Sequence, residues 1–258
     1  MTSWVTKYRQ VVAHRGNSWE YPENTRAAIL SAVEIKADVI EFDISLTSDN
    51  VAIALHGPKL QKSTTGRGKA RNYSRSELEK VTVLNRQGQK TNEPIPSLKD
   101  LLCEFGDKAL WNLDIKDIRA VPLVISLIEE LSLKGRVVLS GLGVRQVREL
   151  SFKYPNVDML INLSRLDKFF LFSRILSRRW IMFRFSDITK SPSVVGINVH
   201  WRYVNQKLVN VLDNLGTEIW VFTVDSADRI ERMFCLGVNS VTTNCPTLYS
   251  SIPSNLES

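Results

Sequence analysis

Cysteine, glycine and proline are scarce in this chain of 258 residues. Three cysteines are an odd number with no C-x-x-C spacing, which excludes a disulfide framework and the common zinc sites. With 12 glycines, 9 prolines and 43% hydrophobic residues, neither a collagen-like repeat nor a disordered chain fits the composition. The composition therefore indicates a globular protein with a full apolar core.

Long apolar runs are also missing. No uninterrupted stretch approaches the roughly 18 residues that a membrane-spanning helix needs. Residues 1–10 are mostly polar and lack the apolar centre of a secretory signal. We therefore expect a cytoplasmic protein, and the length is compatible with a single domain over residues 1–258.

Basic residues outnumber acidic ones by 34 to 27, so the net charge is +7, which favours anionic partners. Segment 164–190 holds seven Lys or Arg, two Asp and six aromatic residues. This composition is typical of segments that contact anionic membranes, and we expect such peripheral contact here. A barrel helix with a buried Phe face would give the same pattern. No nucleic-acid partner is expected, because no recognition motif accompanies the charge.

Short β-rich runs alternate with helical stretches along the chain. At Gly135, Gly216 and Gly237, a glycine separates a helical stretch from an apolar run, as when a left-handed glycine caps a helix before a buried strand. Such repeated units predict right-handed crossovers and a parallel sheet. The predicted strands are 11–14, 39–44, 109–115, 137–140, 157–163, 195–199, 219–224 and 240–243.

Eight strands favour an α/β fold of the TIM (β/α)8 barrel type over an open doubly wound sheet. No Gly-x-Gly-x-x-Gly follows the first strand, which also weighs against a dinucleotide-binding sheet. Asn24 is predicted to cap the first helix. The turn residues 48–50 leave no room for a crossover helix, so a β-hairpin is inserted after strand 2. Its register returns His56 beside Asp43.

Polar residues occupy the carboxyl-terminal ends of three predicted strands and of the hairpin, where barrel enzymes carry their reactive groups. They are His14, Arg15, Glu41, Asp43, His56, Asp114 and Lys116. Three carboxylates suit Mg²⁺ or Ca²⁺, and two histidines suit a general acid and a general base. Arginine and lysine suit a phosphate. Phosphodiester cleavage is the reaction that uses all three kinds of group.

The spaced motifs of the chain resemble the glycerophosphodiester phosphodiesterase family from about residue 11 to residue 248. The matching segments are His14-Arg15-Gly16, Pro22-Glu23-Asn24-Thr25, Ile40-Glu41-Phe42-Asp43, Leu46-Thr47-Ser48-Asp49, His56, Ser63-Thr64-Thr65-Gly66, Ile95-Pro96-Ser97-Leu98, Asp114-Ile115-Lys116, Phe222-Thr223-Val224 and Thr242-Thr243-Asn244-Cys245-Pro246.

The resemblance implies a β/α barrel that cleaves glycerophosphodiesters to glycerol 3-phosphate and an alcohol, through attack by a neighbouring substrate hydroxyl and a cyclic intermediate. It implies the following roles: Glu41, Asp43 and Asp114 as ligands of Mg²⁺ or Ca²⁺, His14 and His56 as the acid and base in unassigned order, and Arg15 and Lys116 as phosphate ligands. Phe222 stands where the family often has a tryptophan near the substrate, although barrel packing explains it equally well.

Three positions depart from the family's usual residues, which are Glu at Asp114, Asp at Gly57 and Asp at Asn244. The first two departures resemble the venom-type phospholipase D branch, which acts on lysophospholipids and sphingomyelin. A lysophospholipase D activity is therefore an alternative substrate assignment, and an inactive phospholipid-binding barrel is a second alternative. His200, after the sixth predicted strand, is expected to be a surface or packing residue.

Overall fold

A closed parallel barrel forms the centre of the protein. The computed structural model describes residues 9–164, 167 and 184–250. Its strands are β1 (Gln10–His14), β2 (Val39–Leu46), β3 (Ala52–Ala54), β4 (Thr82–Leu84), β5 (Lys90–Pro94), β6 (Leu110–Ile115), β7 (Val137–Leu142), β8 (Asp158–Asn162), β9 (Val194–His200), β10 (Glu218–Phe222) and β11 (Ser240–Thr243). All except β3, β4 and β5 pair in parallel, and β1 pairs with both β11 and β2, which closes the ring. The predicted TIM barrel is confirmed.

Helices cover the outside of the barrel. They are α1 (Arg26–Glu34), α2 (Leu98–Phe105), α3 (Val121–Glu130), α4 (Val144–Lys153), α5 (Gln206–Asp213), α6 (Ala227–Cys235) and α7 (Thr247–Ser250). Helix α2 shows why they form: the Ser97 side chain accepts from the Asp100 backbone N–H, and apolar residues recur on one buried face. In the described part of the chain, no helix is long and apolar enough to cross a membrane. Most of segment 164–190 lies outside the described residues, so its membrane contact stays a prediction.

The three glycine joints adopt the predicted left-handed backbone, with φ of 77° at Gly135, 61° at Gly216 and 96° at Gly237. Gly216 and Gly237 follow the ends of α5 and α6 closely. The prediction was wrong about Gly135 as a helix cap, because α3 ends at Glu130 and Ser132 already has a φ of 55°. Gly135 instead turns the loop that leads into β7.

The predicted hairpin is present, and its register is the one that the turn implies. Strand β3 pairs antiparallel with the end of β2, with Ile44 opposite Ala54. The Leu55 backbone N–H then donates to the Asp43 carbonyl oxygen at 3.0 Å, so His56 follows directly beside Asp43. Residues 56–97 continue from the hairpin with a small apolar cluster of their own, which includes Leu60, Val83 and Ile95.

The barrel interior changes from apolar to polar along the strands. Val12, Val39, Val138, Leu160, Val195 and Trp220 form a buried apolar cluster. His14 and Glu41 lie two positions beyond Val12 and Val39, and therefore point to the same side of their strands. The apolar layer supports the polar side chains at the carboxyl ends.

Gly16 has a φ of +75°, and a β-carbon there would lie 2.5 Å from the backbone carbon of Ala28 in α1. We therefore expect Gly16→Ala to lower the free energy of unfolding by roughly 2 kcal/mol or more. Gly135→Ala is the matched control, because its φ is +77° and its β-carbon would meet open space. Urea unfolding measures the free energy of unfolding of both variants. An equal loss in the two would contradict the predicted clash at Gly16.

Candidate active site

The carboxyl ends of β1, β2 and β6 bring the predicted polar residues together. Strand register places His14 opposite Glu41 and Asp43 opposite Asp114. The hairpin adds His56 from the edge of β2 that lies opposite β6. Residues as far apart in sequence as His14 and Lys116 therefore form one cluster, which is the arrangement that the strand ends predicted.

Three carboxylates, two of them buried and that of Asp114 partly exposed, form the centre of this cluster. Glu41, Asp43 and Asp114 each offer an oxygen within 4.8 Å of the others. Among the described residues, the buried oxygens Glu41 Oε1 and Asp114 Oδ1 have no hydrogen-bond partner. Buried carboxylate oxygens without partners are costly unless a cation satisfies them. The set fits a hard divalent cation such as Mg²⁺ or Ca²⁺, which prefers oxygen ligands.

Gly141 makes room for the Asp114 carboxylate. It lies at a register shift in β7 and has a φ of +77°. A β-carbon at this position would lie 2.1 Å from Asp114 Oδ1 and 2.6 Å from the Ile115 carbonyl oxygen. The short aspartate therefore occupies a space that only a glycine leaves open.

The carboxyl groups differ in their protonation tendencies. Burial, followed by repulsion from Asp43 and Asp114, raises the pKa of Glu41 well above its ordinary value. Burial also raises the pKa of Asp114. Burial would raise the pKa of Asp43 as well, but the cations Lys116 and Arg15 hold it below its ordinary value. In the absence of a metal, Glu41 is therefore the carboxyl group of the cluster whose ionised form is most disfavoured.

Lys116 is the main counter-charge within the cluster. Its Nζ lies 2.8 Å from Asp43 Oδ1 and 2.5 Å from Asp114 Oδ2. Burial would lower the pKa of Lys116, but Asp43 and Asp114 raise it above the ordinary value. Lys116 therefore stays charged.

Arg15 connects the carboxylate cluster to the hairpin. Its backbone adopts a φ of 58°, which lets its N–H donate to Glu41 Oε2 at 2.9 Å. Its guanidinium contacts Asp43 Oδ2 through Nε at 3.0 Å and also pairs with Glu23. A second guanidinium nitrogen lies 3.2 Å from His56 Nε2.

Asn24 supports Asp43 rather than capping a helix. The N-cap of α1 is Thr25, whose side chain accepts from the Ala28 backbone N–H, so the predicted cap was wrong by one residue. Asn24 has a φ of 59°, which turns its amide toward Asp43. It donates to Asp43 Oδ2 and accepts from the Asp43 backbone N–H, both at 2.9 Å. This reciprocal pair fixes the orientation of the Asp43 carboxylate.

The first histidine of the site is partly buried and paired with a neutral group. His14 Nδ1 lies 2.6 Å from Asn244 Oδ1, and Nε2 lies 3.8 Å from Glu41 Oε2. Burial, followed by the charge of Arg15, lowers the pKa of His14 to about 4. His14 is therefore a neutral imidazole at pH 7.

The second histidine lies between a carboxylate and two cations. His56 Nδ1 is 3.3 Å from Glu23 Oε1, while Nε2 is 2.6 Å from Lys62 Nζ. Burial, followed by the charge of Arg15, lowers the pKa of Lys62. The other oxygen of the Glu23 carboxylate pairs with Arg15, so Glu23 bridges His56 and Arg15.

A cavity of about 460 Å³ opens onto both histidines and Arg15. Trp19 and Leu84 supply apolar surface to a lining that is otherwise mainly polar. The Arg86 guanidinium lies 3.3 Å from the centre of the Trp19 ring.

Phe222 and His200 contact each other at the ends of β10 and β9. Their ring centroids are 6.0 Å apart, and Phe222 does not belong to the lining of the described cavity. His200 also accepts from the Arg202 backbone N–H and stacks on Trp201. These contacts agree with the packing interpretation of both residues.

The sequence did not predict a role for several polar residues of the site, among them Glu23, Lys62, Asp225 and Asn244. Glu23 and Asn244 lie within matched motifs, which was the available signal. Lys62 contacts His56, and Asp225 accepts from the Asn244 side chain, but no spacing pattern in the sequence predicted either contact. Gly57 has a local explanation, because a β-carbon there would lie 2.3 Å from the Ser45 hydroxyl, which donates to the Leu55 carbonyl oxygen.

We expect Glu41→Gln to stabilise the metal-free protein at pH 7, because glutamine carries no charge to be repelled by Asp43 and Asp114. Because folding raises the pKa of Glu41 above 4.5, its stabilising contribution is present below pH 4.5 and is lost as the pH rises through the raised value. Glutamine does not ionise, so the stability of the Glu41→Gln variant should not fall in this way as the pH rises. Thermal unfolding from pH 4 to 8, with and without Mg²⁺ or Ca²⁺, measures the effect.

The same experiment tests the cation site. Wild type is expected to gain melting temperature with the cation, and Glu41→Gln to lose that gain. Glu34→Gln, at the exposed end of α1, is the control and should behave as wild type. A variant that is less stable without metal and keeps the full cation response would contradict the account.

Comparison with known proteins identifies the family. The profile of the Glycerophosphoryl diester phosphodiesterase family matches residues 14–248. A glycerophosphodiester phosphodiesterase of Caldanaerobacter subterraneus is 29% identical over 245 residues, which cover 92% of this chain and 94% of the relative.

Solved structures share the fold. A phosphodiesterase from Oleispira antarctica, in complex with the product sn-glycerol-3-phosphate, has a TM-score of 0.75 at 18% identity, covering 94% of this chain and 96% of that one. A glycerophosphodiester phosphodiesterase from Thermotoga maritima has a TM-score of 0.72 at 20% identity, covering 94% and 97%. The profile match spans most of the chain, which therefore belongs to the glycerophosphodiester phosphodiesterase family, a family of phosphoric diester hydrolases.

Proposed function

We propose that this protein hydrolyses glycerophosphodiesters to glycerol 3-phosphate and an alcohol, with a divalent cation and two histidines as acid and base. The observation that carries the proposal is the contact between the carboxylate cluster of Glu41, Asp43 and Asp114 and the two histidines that line the cavity. His14 Nε2 lies 3.8 Å from Glu41 Oε2, and Arg15 contacts both Asp43 and His56. The glycerol 3-phosphate bound to the Oleispira antarctica neighbour supports the same product class.

The charges of the site support an anionic phosphodiester as substrate. The carboxylates of the site and its cavity are those of Glu23, Glu41, Asp43, Asp114 and Asp225, and the cations are Arg15, Lys62, Arg86 and Lys116. When all of these groups are ionised and both histidines are neutral, one negative charge remains, and a dication converts it to one positive charge. A proton on His56 adds to that positive charge, which favours the negative charge of a phosphodiester. Arg15 and Lys116 are the proposed phosphate ligands, because both lie beside the carboxylate cluster.

We assign His14 as the general base. It is neutral and directs Nδ1 toward Asn244, which leaves Nε2 as the nitrogen with the lone pair. A hydroxyl of the glycerol moiety attacks phosphorus as His14 Nε2 takes its proton, and the phosphorus bond to the alcohol oxygen breaks. Water then opens the cyclic phosphodiester, with the proton roles reversed.

We assign His56 as the general acid, because it is the second histidine of the cavity lining. The Glu23 carboxylate lies 3.3 Å from Nδ1 and orients the ring, while Nε2 lies beside the cations Lys62 and Arg15. When the anionic substrate binds these two cations in place of the imidazole, His56 Nε2 would donate a proton to the leaving oxygen. Glu41, Asp43 and Asp114 would hold the cation, which supplies neutralisation of the charge that develops on the phosphoryl oxygens.

The lining of the cavity favours small head groups over acyl chains. Trp19 and Leu84 are its large apolar residues, whereas an acyl chain needs a continuous apolar path. A lysophospholipase D activity, suggested by Gly57 and Asp114, is the competing assignment. The composition of segment 164–190 supports a peripheral membrane contact as a further part of the proposal.

Assays with glycerophosphocholine and lysophosphatidylcholine, each with Mg²⁺, Ca²⁺ or chelator, test the function. We expect glycerol 3-phosphate from glycerophosphocholine with at least tenfold higher kcat/KM, and loss of turnover with chelator. Faster release of choline from the lysolipid would support the competing activity. No turnover of either substrate would favour a binding protein.

His14→Gln and His56→Gln are each expected to lower kcat by roughly 100-fold or more, because each removes a proton-transfer group. His200→Gln is the matched control, since His200 lies outside the described cavity lining and should keep wild-type kcat. Because the pKa of His14 is about 4, the base should stay unprotonated, and kcat/KM should not fall through its protonation between pH 7 and 5. Full activity in either site variant would disprove its assignment.

A further inference from the structure

A chain of hydrogen bonds runs across the ends of three neighbouring barrel strands. His14 ends β1, Asn244 follows β11 and Asp225 follows β10, and these strands are adjacent in the order β1-β11-β10. Asn244 Nδ2 donates to Asp225 Oδ2 at 2.7 Å, and Asn244 Oδ1 lies 2.6 Å from His14 Nδ1. The amide thus stands between the carboxylate and the imidazole.

Asp225 determines the orientation of the Asn244 amide. An ionised carboxylate only accepts hydrogen bonds, so the amide nitrogen, rather than its oxygen, must face it. Asp225 is itself held in place, because its Oδ1 accepts from the Asn244 backbone N–H at 2.8 Å and from the Thr243 hydroxyl at 3.1 Å. A flipped amide would set oxygen against oxygen at Asp225 and nitrogen against His14.

The fixed amide then determines the tautomer of His14. Amide oxygens only accept, so His14 Nδ1 must carry the proton that it donates to Asn244. The neutral ring therefore keeps its lone pair on Nε2, the atom that faces the Glu41 side of the site. The Ser18 hydroxyl, which donates to the His14 carbonyl oxygen at 2.7 Å, ties the backbone of His14 to the same loop.

We propose that Asn244, oriented by Asp225, is a positioning residue that holds His14 in the Nδ1–H tautomer required of a general base. The inference rests on the proposed function only for its kinetic consequence. An aspartate at position 244 would also accept from His14, but it would place a second carboxylate against Asp225. Asn244, whose amide is oriented by Asp225, orients the His14 ring without adding a charge beside the imidazole.

Histidine ¹⁵N NMR of the metal-loaded, full-length protein tests the tautomer directly. The chain has three histidines, so a ¹⁵N-histidine spectrum is simple, and the spectrum of His14→Gln assigns the His14 signals. Wild type is expected to show a protonated Nδ1 and an unprotonated Nε2 on His14, and Asn244→Ala to show a mixture of tautomers. A wild-type His14 protonated on Nε2 would overturn the proposal.

Kinetics provide the second readout. Asn244→Ala and Asp225→Asn are each expected to lower kcat about 10- to 100-fold with KM within about twofold. The double variant should lose no more than Asn244→Ala, because the two residues act in series. Losses that multiply, or a rise in KM without a loss in kcat, would overturn the proposal.

Two further variants separate positioning from folding. The exchange of Asp225→Asn with Asn244→Asp restores a donor facing an acceptor, and is expected to recover activity over Asp225→Asn alone; no recovery would count against the chain of bonds. Asn239→Ala is the matched control, because Asn239 precedes β11 and accepts from the Ile219 backbone N–H at 2.9 Å, away from the site. It should change stability and leave kcat unchanged. If wild type turns over no phosphodiester, the proposed function fails while the NMR result still decides the tautomer.

Discussion

Repulsion among three close carboxylates, two of them buried, is the constraint around which the carboxyl end of this barrel is organised. Glu41, Asp43 and Asp114 offer oxygens within 4.8 Å of one another, at a depth where water screens their charges poorly. Lys116 and Arg15 offset part of that charge, and both contact Asp43. Oxygens of Glu41 and Asp114 remain without partners among the described residues. This excess of buried acceptors is what a divalent cation would satisfy.

Unusual backbone conformations hold the surrounding groups where this cluster needs them. Arg15 and Asn24 have positive φ, and each thereby directs hydrogen bonds to a cluster carboxylate. Gly16 lets the loop after β1 approach α1, while Gly141 leaves space for Asp114. The backbone strain at the strand ends thus serves the side chains of the site.

The two histidines of the site have different neighbours, and this difference is the basis for the different roles proposed for them. His14 is partly buried against a neutral amide, and its pKa is lowered to about 4, which favours the neutral ring and a lone pair on Nε2. His56 instead lies between the Glu23 carboxylate and the cations Arg15 and Lys62. The proposed roles of His14 as base and His56 as acid rest on these different neighbours, which belong to different strands and loops.

The sequence by itself determined the barrel, the hairpin register and the meeting of His14 with the carboxylates, because strand periodicity and short turns are local properties of the chain. Only the tertiary structure decided which side chains contact His14 and His56. Asn24 illustrates the limit, since its position before the first helix predicts a helix cap, whereas in the structure its side chain hydrogen-bonds to Asp43. Asp225 and Asn244 reach His14 because the barrel closes β10, β11 and β1 into neighbours. Hydrogen bonds between residues more than 200 positions apart depend on that closure, and no local pattern encodes them.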